Sequence, residues 1–339
     1  MFYNLSQEGM VNMAAPTVGI ARTLNYYAYF PFWSGYFDTL GLKTILSPPT
    51  TKEILDQGVK DALAEACLPI KLFFGHIASL KKKVDYLFIP RIVNLNKKTV
   101  YCPKFLGLPD MIKYSYDDLP PIIDIRVDNR TFHDGLLIAS LKLATKLGFS
   151  KLKGVKAYQE GLKRQQLYEN LLAKGYLPIN EVNVKKPKHF SVKSPFKIAL
   201  LGYPYLVYDN YINFKVLEFF NQNEVQILTA EQVPLAVRKQ YAPFTNKKRV
   251  FWTFSDRVLS SFQYYLKNVP DLKGIIHLTA FGCGPDFIVD RIMEIDAGER
   301  QIPYLTLTID EHTGEAGLLT RVEAFLDMIK RKTRSEVSQ

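Results

Sequence analysis

The chain has 339 residues, 47% of them hydrophobic and 23% charged, which excludes a largely disordered polypeptide and makes two core-forming domains the starting expectation. No apolar run approaches the roughly 20 residues that cross a bilayer, and Met1–Glu8 carries no positive stretch ahead of an apolar core, so a cytoplasmic protein without signal peptide or membrane partner is expected. Lys plus Arg outnumber Asp plus Glu by 44 to 33, a net charge of +11 that suits an acidic or anionic partner. The basic clusters at Lys81–Lys83, Lys185–Lys188, Lys247–Arg249 and Lys330–Lys332 read as helix ends or linkers. No helix-turn-helix or aromatic-basic motif accompanies them, so nucleic acid is not expected.

In chain order, Thr17–Ala21 reads as a buried strand, followed by an aromatic-rich helix from Tyr26 to Leu40 and a second strand over Lys43–Leu46. Thr51 is placed to cap a helix through Ile54 and Val59. A helix over Ile70–Leu80 and strands over Val84–Ile89 and Ile122–Ile125 follow. From Thr131 to Tyr176 the spacing is mostly helical, with Leu136, Leu137, Ser140, Leu141, Ala144 and Leu147 on one stripe. The polar, basic stretch Asn183–Ser194 is the best linker.

The alternation then restarts. Strands are expected over Phe196–Leu201, Val225–Leu228, Gly274–Leu278 and Pro303–Leu307. Helices are expected near Asn210–Asn221, over Phe254–Leu266, after Cys283, and over Gly317–Ile329. Short apolar strands separated by helices predict parallel α/β sheets, and the two halves read as weak architectural repeats. The expected fold is α/β, with two doubly wound (flavodoxin- or Rossmann-like) parallel-sheet domains and a helical segment between them. The boundaries fall at 1–130, 131–190 and 191–339, so that Cys67 and Cys102 belong to the N-terminal domain and Cys283 to the C-terminal one.

Those three cysteines are all the chain has, and an odd count in a cytoplasmic protein argues against a disulfide framework. Each stands just ahead of a proline: Cys67-Leu68-Pro69, Cys102-Pro103 and Cys283-Gly284-Pro285. Proline is favoured in the first helical turn, so each thiol is expected at a helix N-terminus, where free N–H groups and the positive dipole end stabilise a thiolate. Gly282 and Gly284 frame Cys283 and let a bulky group come close to the backbone.

Metal ligation, inert burial and a nucleophilic cysteine all remain open on this pattern. Three thiolates suit a cubane iron–sulfur cluster better than a closed zinc site, which needs four ligands. His76 stands as a fourth ligand or a core histidine, and His277, inside an apolar strand, reads as structural.

The motifs Glu65-Ala66-Cys67-Leu68-Pro69-Ile70-Lys71 with Gly75-His76, Cys102-Pro103-Lys104-Phe105-Leu106-Gly107-Leu108-Pro109-Asp110, Gly202-Tyr203-Pro204-Tyr205-Leu206-Val207-Tyr208-Asp209 and Phe281-Gly282-Cys283-Gly284-Pro285-Asp286 resemble one known family. It is the uncharacterised domain of CoA enzyme activases, related to 2-hydroxyacyl-CoA dehydratase subunits and double-cubane cluster proteins. The tail from Pro303 through His312 to Phe325 is similar to the end of the dehydratase subunits, so the resemblance runs from about Val18 to Leu326.

The resemblance implies an iron–sulfur cluster, 4Fe-4S or double cubane 8Fe-9S, held by Cys67, Cys102 and Cys283. It also implies a homodimer or a heterodimer with a related subunit, anaerobic redox chemistry, and low-potential electrons supplied by a separate ATP-hydrolysing activase. The chain has no phosphate-binding Gly-x-x-x-x-Gly-Lys-Ser/Thr loop, so ATP hydrolysis belongs to that partner. A reductase or dehydratase component, an electron-carrier subunit without its own substrate, and a zinc-stabilised binding protein are the three functional readings. Glu311 and His312, beyond a strand's C-terminal end, are the weak catalytic candidates. Asp110, Asp209 and Asp286 read mainly as structural. Tyr203, Tyr205 and Tyr208 are candidates for the wall of a cluster cavity.

Overall fold

In the computed structural model the alternation of strand and helix becomes two four-stranded parallel sheets, one in each of two units. The structure describes residues 15–176, 194–241, 244–245 and 248–337, and of 244–245, 248–249 and 333–337 the backbone alone. The linker stretch Asn183–Ser194 falls outside the described residues except for Ser194, as do Met1–Glu8 and the Lys185–Lys188 cluster. Among the described residues the first unit takes those up to Ala62 and Ile70–Glu169. The second takes Leu63–Pro69, residues 170–176 and everything from Ser194.

The first unit contains β1 (Thr17–Ile20), α1 (Tyr26–Leu40), β2 (Lys43–Leu46), α2 (Lys52–Asp61), most of α3 (Leu68–Leu80), β3 (Tyr86–Phe88), β4 (Arg91–Asn94), α4 (Pro103–Ser115), β5 (Ile122–Ile123), β6 (Arg126–Asp128), α5 (Leu136–Lys146) and most of α6 (Lys151–Ala173). Its main sheet has the order β2-β1-β3-β5, with β1 registered on β2 from Thr17 opposite Lys43 to Ile20 opposite Leu46. Helix α1 buries an almost continuous aromatic face: Trp33 lies 4.5 Å from the Phe88 ring, and the Tyr36 hydroxyl donates to the Ser140 carbonyl at 2.5 Å. Helices α2 and α3 touch backbone to backbone. A Cβ on Gly58 would stand 1.9 Å from the Lys71 carbonyl oxygen, and one on Gly75 would stand 1.9 Å from that of Ile54.

The second unit contains β7 (Lys197–Gly202), α7 (Pro204–Val207), α8 (Val216–Gln222), β8 (Gln226–Thr229), α9 (Leu235–Arg238), the short pair β9 (Phe244–Thr245) and β10 (Lys248–Arg249), α10 (Thr253–Asn268), β11 (Leu272–Ala280), α11 (Gly284–Glu299), β12 (Tyr304–Ile309) and α12 (Glu315–Val337). Its sheet has the order β12-β11-β7-β8, all parallel. Strand β11 is buried along nearly its whole length, as a strand covered on both faces must be. Helix α12 buries Leu318, Val322, Phe325 and Ile329, and the last two reach this strand at Gly274. Gly274 admits this approach, since a Cβ there would meet the Ile329 methyl at 2.6 Å.

Counted within each unit, both sheets follow the order 2-1-3-4, so the strand order reverses between the first and third strands. Ligands of open α/β sheets gather beyond the carboxyl ends of the strands at such a switch point. The doubly wound class expected from the sequence is the observed one. The expected strands over Val84–Ile89 and Ile122–Ile125 are shorter than their apolar runs, because after Pro90 and Asp124 the chain leaves the main sheet and forms a second parallel pair, β4 with β6.

Candidate functional site

The switch point of the second sheet lies between the ends of β7 and β11, where the chain passes through Tyr203-Pro204 and Phe281-Gly282-Cys283. Gly282 turns at φ +76°, a left-handed conformation that suits glycine, and the Cys283 N–H donates back to the Ala280 carbonyl at 3.1 Å. Cys283 then becomes the N-cap of α11, with Pro285 in the first turn, as the sequence spacing predicts. Cys67 belongs to the same unit and lies against this turn: a Cβ on Gly282 would stand 3.9 Å from both Cα and Cβ of Cys67. Cys67 immediately precedes α3, and all three cysteines are half-buried and outside any disulfide.

Cys102 is in the first unit, where it is the N-cap of α4 with Pro103 at the first helical position. Neither Cys102 nor Cys283 uses its side chain as the capping acceptor. At both sites the cysteine stands at the positive end of a helix of 13 or more residues.

Tyr205 is the aromatic group that the fold brings to Cys67 and Cys283. Burial raises its hydroxyl pKa well above the ordinary value, and negative charge at Cys283, Tyr203, Cys67 and Asp286 raises it further. It therefore stays protonated. Tyr203 and Phe254 pack on it with ring centroids 5.7 Å away, and Tyr203 is hydrogen-bonded to the Ser255 hydroxyl at 2.7 Å. Tyr208 turns instead to Thr229, at 2.7 Å.

Behind Cys283 runs a buried ionic chain that the sequence reading missed as a unit. Asp286 and Asp290 follow Cys283 at three and seven positions, one face of α11, and both meet His277 from β11. His277 and Asp286 are fully buried, with Nε2 3.3 Å from Asp286 and Nδ1 2.9 Å from Asp290. Burial alone would lower the imidazole pKa, but the two carboxylates outweigh it and hold it up at about 9. Asp290 also accepts from Thr306 at 2.7 Å, Tyr304 at 2.9 Å and Arg291 at 2.5 Å, and Asp286 accepts from Thr279 at 2.6 Å. Burial opposes the ionised form of Asp290, yet its bonds from His277, Thr306 and Arg291 hold its pKa well below the usual carboxylate range. The spacing Cys283, Asp286, Asp290 was the available signal, with an in-strand histidine to match it.

The remaining candidates are elsewhere. Asp110 forms a two-pronged pair with Arg91, at 2.6 and 2.8 Å, and Asp209 caps a turn by accepting from the Tyr211 N–H at 3.0 Å. Glu311 and His312 form the turn after β12, where Asp310 accepts from the His312 N–H at 3.0 Å and the His312 side chain is exposed. His76 is fully buried, with Nδ1 2.8 Å from Ser47 and Nε2 3.1 Å from Thr50. The Ser47 oxygen also accepts from the Arg22 N–H, so Arg22, Ser47, His76 and Thr50 are joined in one buried string of contacts. Burial first, then the Arg22 charge, lower the His76 pKa to about 3. Both ring nitrogens are engaged in the core.

Among the described residues, no three His, Cys, Asp or Glu side chains stand close enough together to hold a single metal ion, as a structural zinc requires. A cubane cluster makes a different demand, no more than one thiolate on any one iron, so its cysteines stand farther apart. What each cysteine offers singly is compatible with that demand: a half-buried residue at or just before a helix start, with Gly284 beside Cys283 opening on space where a Cβ would meet nothing within 4 Å.

Residues 17–233 match the family described as the CoA enzyme activase uncharacterised domain, well over half of the chain. The matched stretch contains Cys67 and Cys102, and Cys283 lies beyond it. A comparison with curated proteins gave no match.

Proposed function

We propose that this chain, which belongs to the CoA enzyme activase uncharacterised domain family, is an iron–sulfur redox component that receives low-potential electrons from a separate ATP-hydrolysing activase. Cys67, Cys102 and Cys283 are the proposed ligands of a 4Fe-4S or double-cubane 8Fe-9S cluster. When bound, such a cluster supplies one-electron chemistry at low potential to a reductase or dehydratase reaction. The observation that carries the reading is the pairing of Cys67 with the Gly282–Cys283 turn at a sheet switch point.

The chain's own residues have definable parts. The N-termini of α4 and α11 hold negative charge at Cys102 and Cys283. Protonated Tyr205, buried with Tyr203 and Phe254, keeps water from the apolar side of the thiols. His277 holds a proton between Asp286 and Asp290, so the buried carboxylates do not add their full charge beneath a thiolate. Phe281, Phe287 and Ile288, which flank Cys283 in the chain, are exposed and suit burial by a second subunit or the activase. The net charge of +11 favours encounter with an acidic partner.

The test is anaerobic purification and reconstitution with iron and sulfide. Expected are a brown protein, acid-labile sulfide, loss of both on changing any one of the three cysteines to alanine, and a reduced-state paramagnetic signal once activase and ATP are added. Stoichiometric zinc without iron, or no metal in anaerobic material, ends the reading.

A further inference from the structure

The first unit carries an open groove of about 770 Å³ that none of the cysteine chemistry uses. Its floor is the outer edge of β2, the end strand of its sheet, and its walls are the Phe30-Ser34-Asp38 stripe of α1 together with Arg164 and Leu167 of α6. Arg164 is neutralised in place by Asp38 at 2.6 Å and Glu160 at 3.0 Å. Arg22 and Lys43, by contrast, have no acidic partner among the described residues.

Two donors in the groove wall lack a hydrogen-bond partner. The Ser34 side chain is 0% exposed and its hydroxyl has none, although a helical serine ordinarily bonds the carbonyl four residues back. The Arg22 Nε is likewise buried without a partner. Arg22 is held by its backbone: its N–H donates to Ser47 at 2.8 Å, and Ser47 is fixed in turn by His76. Leaving buried donors unpaired is costly, and a bound molecule that accepts from them removes that cost. Phe30, Leu46 and Leu167 give the same groove an apolar lining.

We propose that this groove is a binding site for a small organic anion, with a carboxylate or phosphate-monoester head on Arg22 and Ser34 and an apolar body along Phe30, Leu46 and Leu167. A groove of this size takes a ligand of ordinary metabolite dimensions, and a guanidinium with a hydroxyl is a donor set for a planar or tetrahedral oxyanion. The site stands apart from the cysteine reading and survives its failure.

Calorimetry and saturation-transfer NMR on the full chain, with octanoate, hexyl phosphate and neutral octanol as probes, test it. At least one anion binds with a Kd of about 10 μM to 1 mM and octanol at least tenfold more weakly. Octanoate alone identifies a carboxylate site, and hexyl phosphate alone a phosphate site. Arg22→Gln weakens the anion at least tenfold. Ser34→Ala weakens it about threefold or more while leaving the melting temperature unchanged or higher, because it removes a buried unpaired hydroxyl. Equal binding of octanol, no binding of either anion at about 10 mM, or an affinity indifferent to both substitutions overturns the assignment.

Discussion

Raising the pH from 6.5 to 9 should destabilise the second unit through His277 alone. Its pKa is held at about 9 against an ordinary 6.5, because Asp286 and Asp290 outweigh the burial that opposes charge. A base whose pKa is raised by folding stabilises fully below the unfolded value and loses that contribution as pH climbs through the folded one. The difference is worth about 3 kcal/mol, lost at roughly 1.4 kcal/mol per pH unit across the window. Trp252 reports on this unit once Trp33, the protein's other tryptophan, is replaced by phenylalanine. Urea unfolding of Trp33→Phe followed by fluorescence at half-unit pH steps then gives the slope directly. In His277→Gln the protein is weaker at pH 6.5, since two carboxylates lose their buried cation, and the slope across the window disappears. A flat wild-type profile, or a slope that persists in His277→Gln and so belongs to the thiols, refutes the reasoning.

The first unit should tilt the opposite way: His76 stays neutral down to about pH 3 in the fold but protonates near 6.5 when unfolded, so stability falls as pH drops through that range. The loss is of order 4 kcal/mol by pH 3, and Trp33 fluorescence in Trp252→Phe measures it, with His76→Gln removing the effect. Gly75→Ala should cost the first unit about 3 kcal/mol or more, because the new methyl would overlap the Ile54 carbonyl and neither backbone can yield. Urea midpoints check this, and a loss below about 1 kcal/mol would show that α2 and α3 are free to separate. Alanine at Cys67, Cys102 or Cys283 should each abolish bound iron and sulfide after anaerobic reconstitution, by direct assay of both.

Much of the architecture was legible because its signals are local. Apolar strand runs such as Lys197–Gly202 and the Thr51 cap, whose oxygen accepts from the Ile54 N–H at 3.4 Å, are written in consecutive residues. The proline after each cysteine likewise announced the α4 and α11 N-termini. What escaped depends on partners distant in the chain. Strand β4 begins with Arg91, which looks wrong for a strand until its guanidinium is seen tied to Asp110 and Asp124. His277 looked like an isolated core histidine because Asp290 becomes its neighbour only when α11 folds back along β11. His76 is spoken for by Ser47 and Thr50, about 26 to 29 positions away, and no periodicity reports that.

The loop from Leu63 to Pro69 groups with the second unit although the helices on either side of it group mainly with the first. The order of synthesis gives this a temporal meaning. On the ribosome Cys67 emerges roughly 200 residues before Cys283, which at about 5–20 residues per second is an interval of roughly 10–40 s. Well before that interval ends the first sheet has all its strands, while the loop's own neighbour, the Gly282 turn, does not yet exist. Until then Cys67 lacks the turn that lies against it in the finished fold, and its thiol is less shielded than it becomes. A fragment ending before Gly282 would keep it in that state permanently.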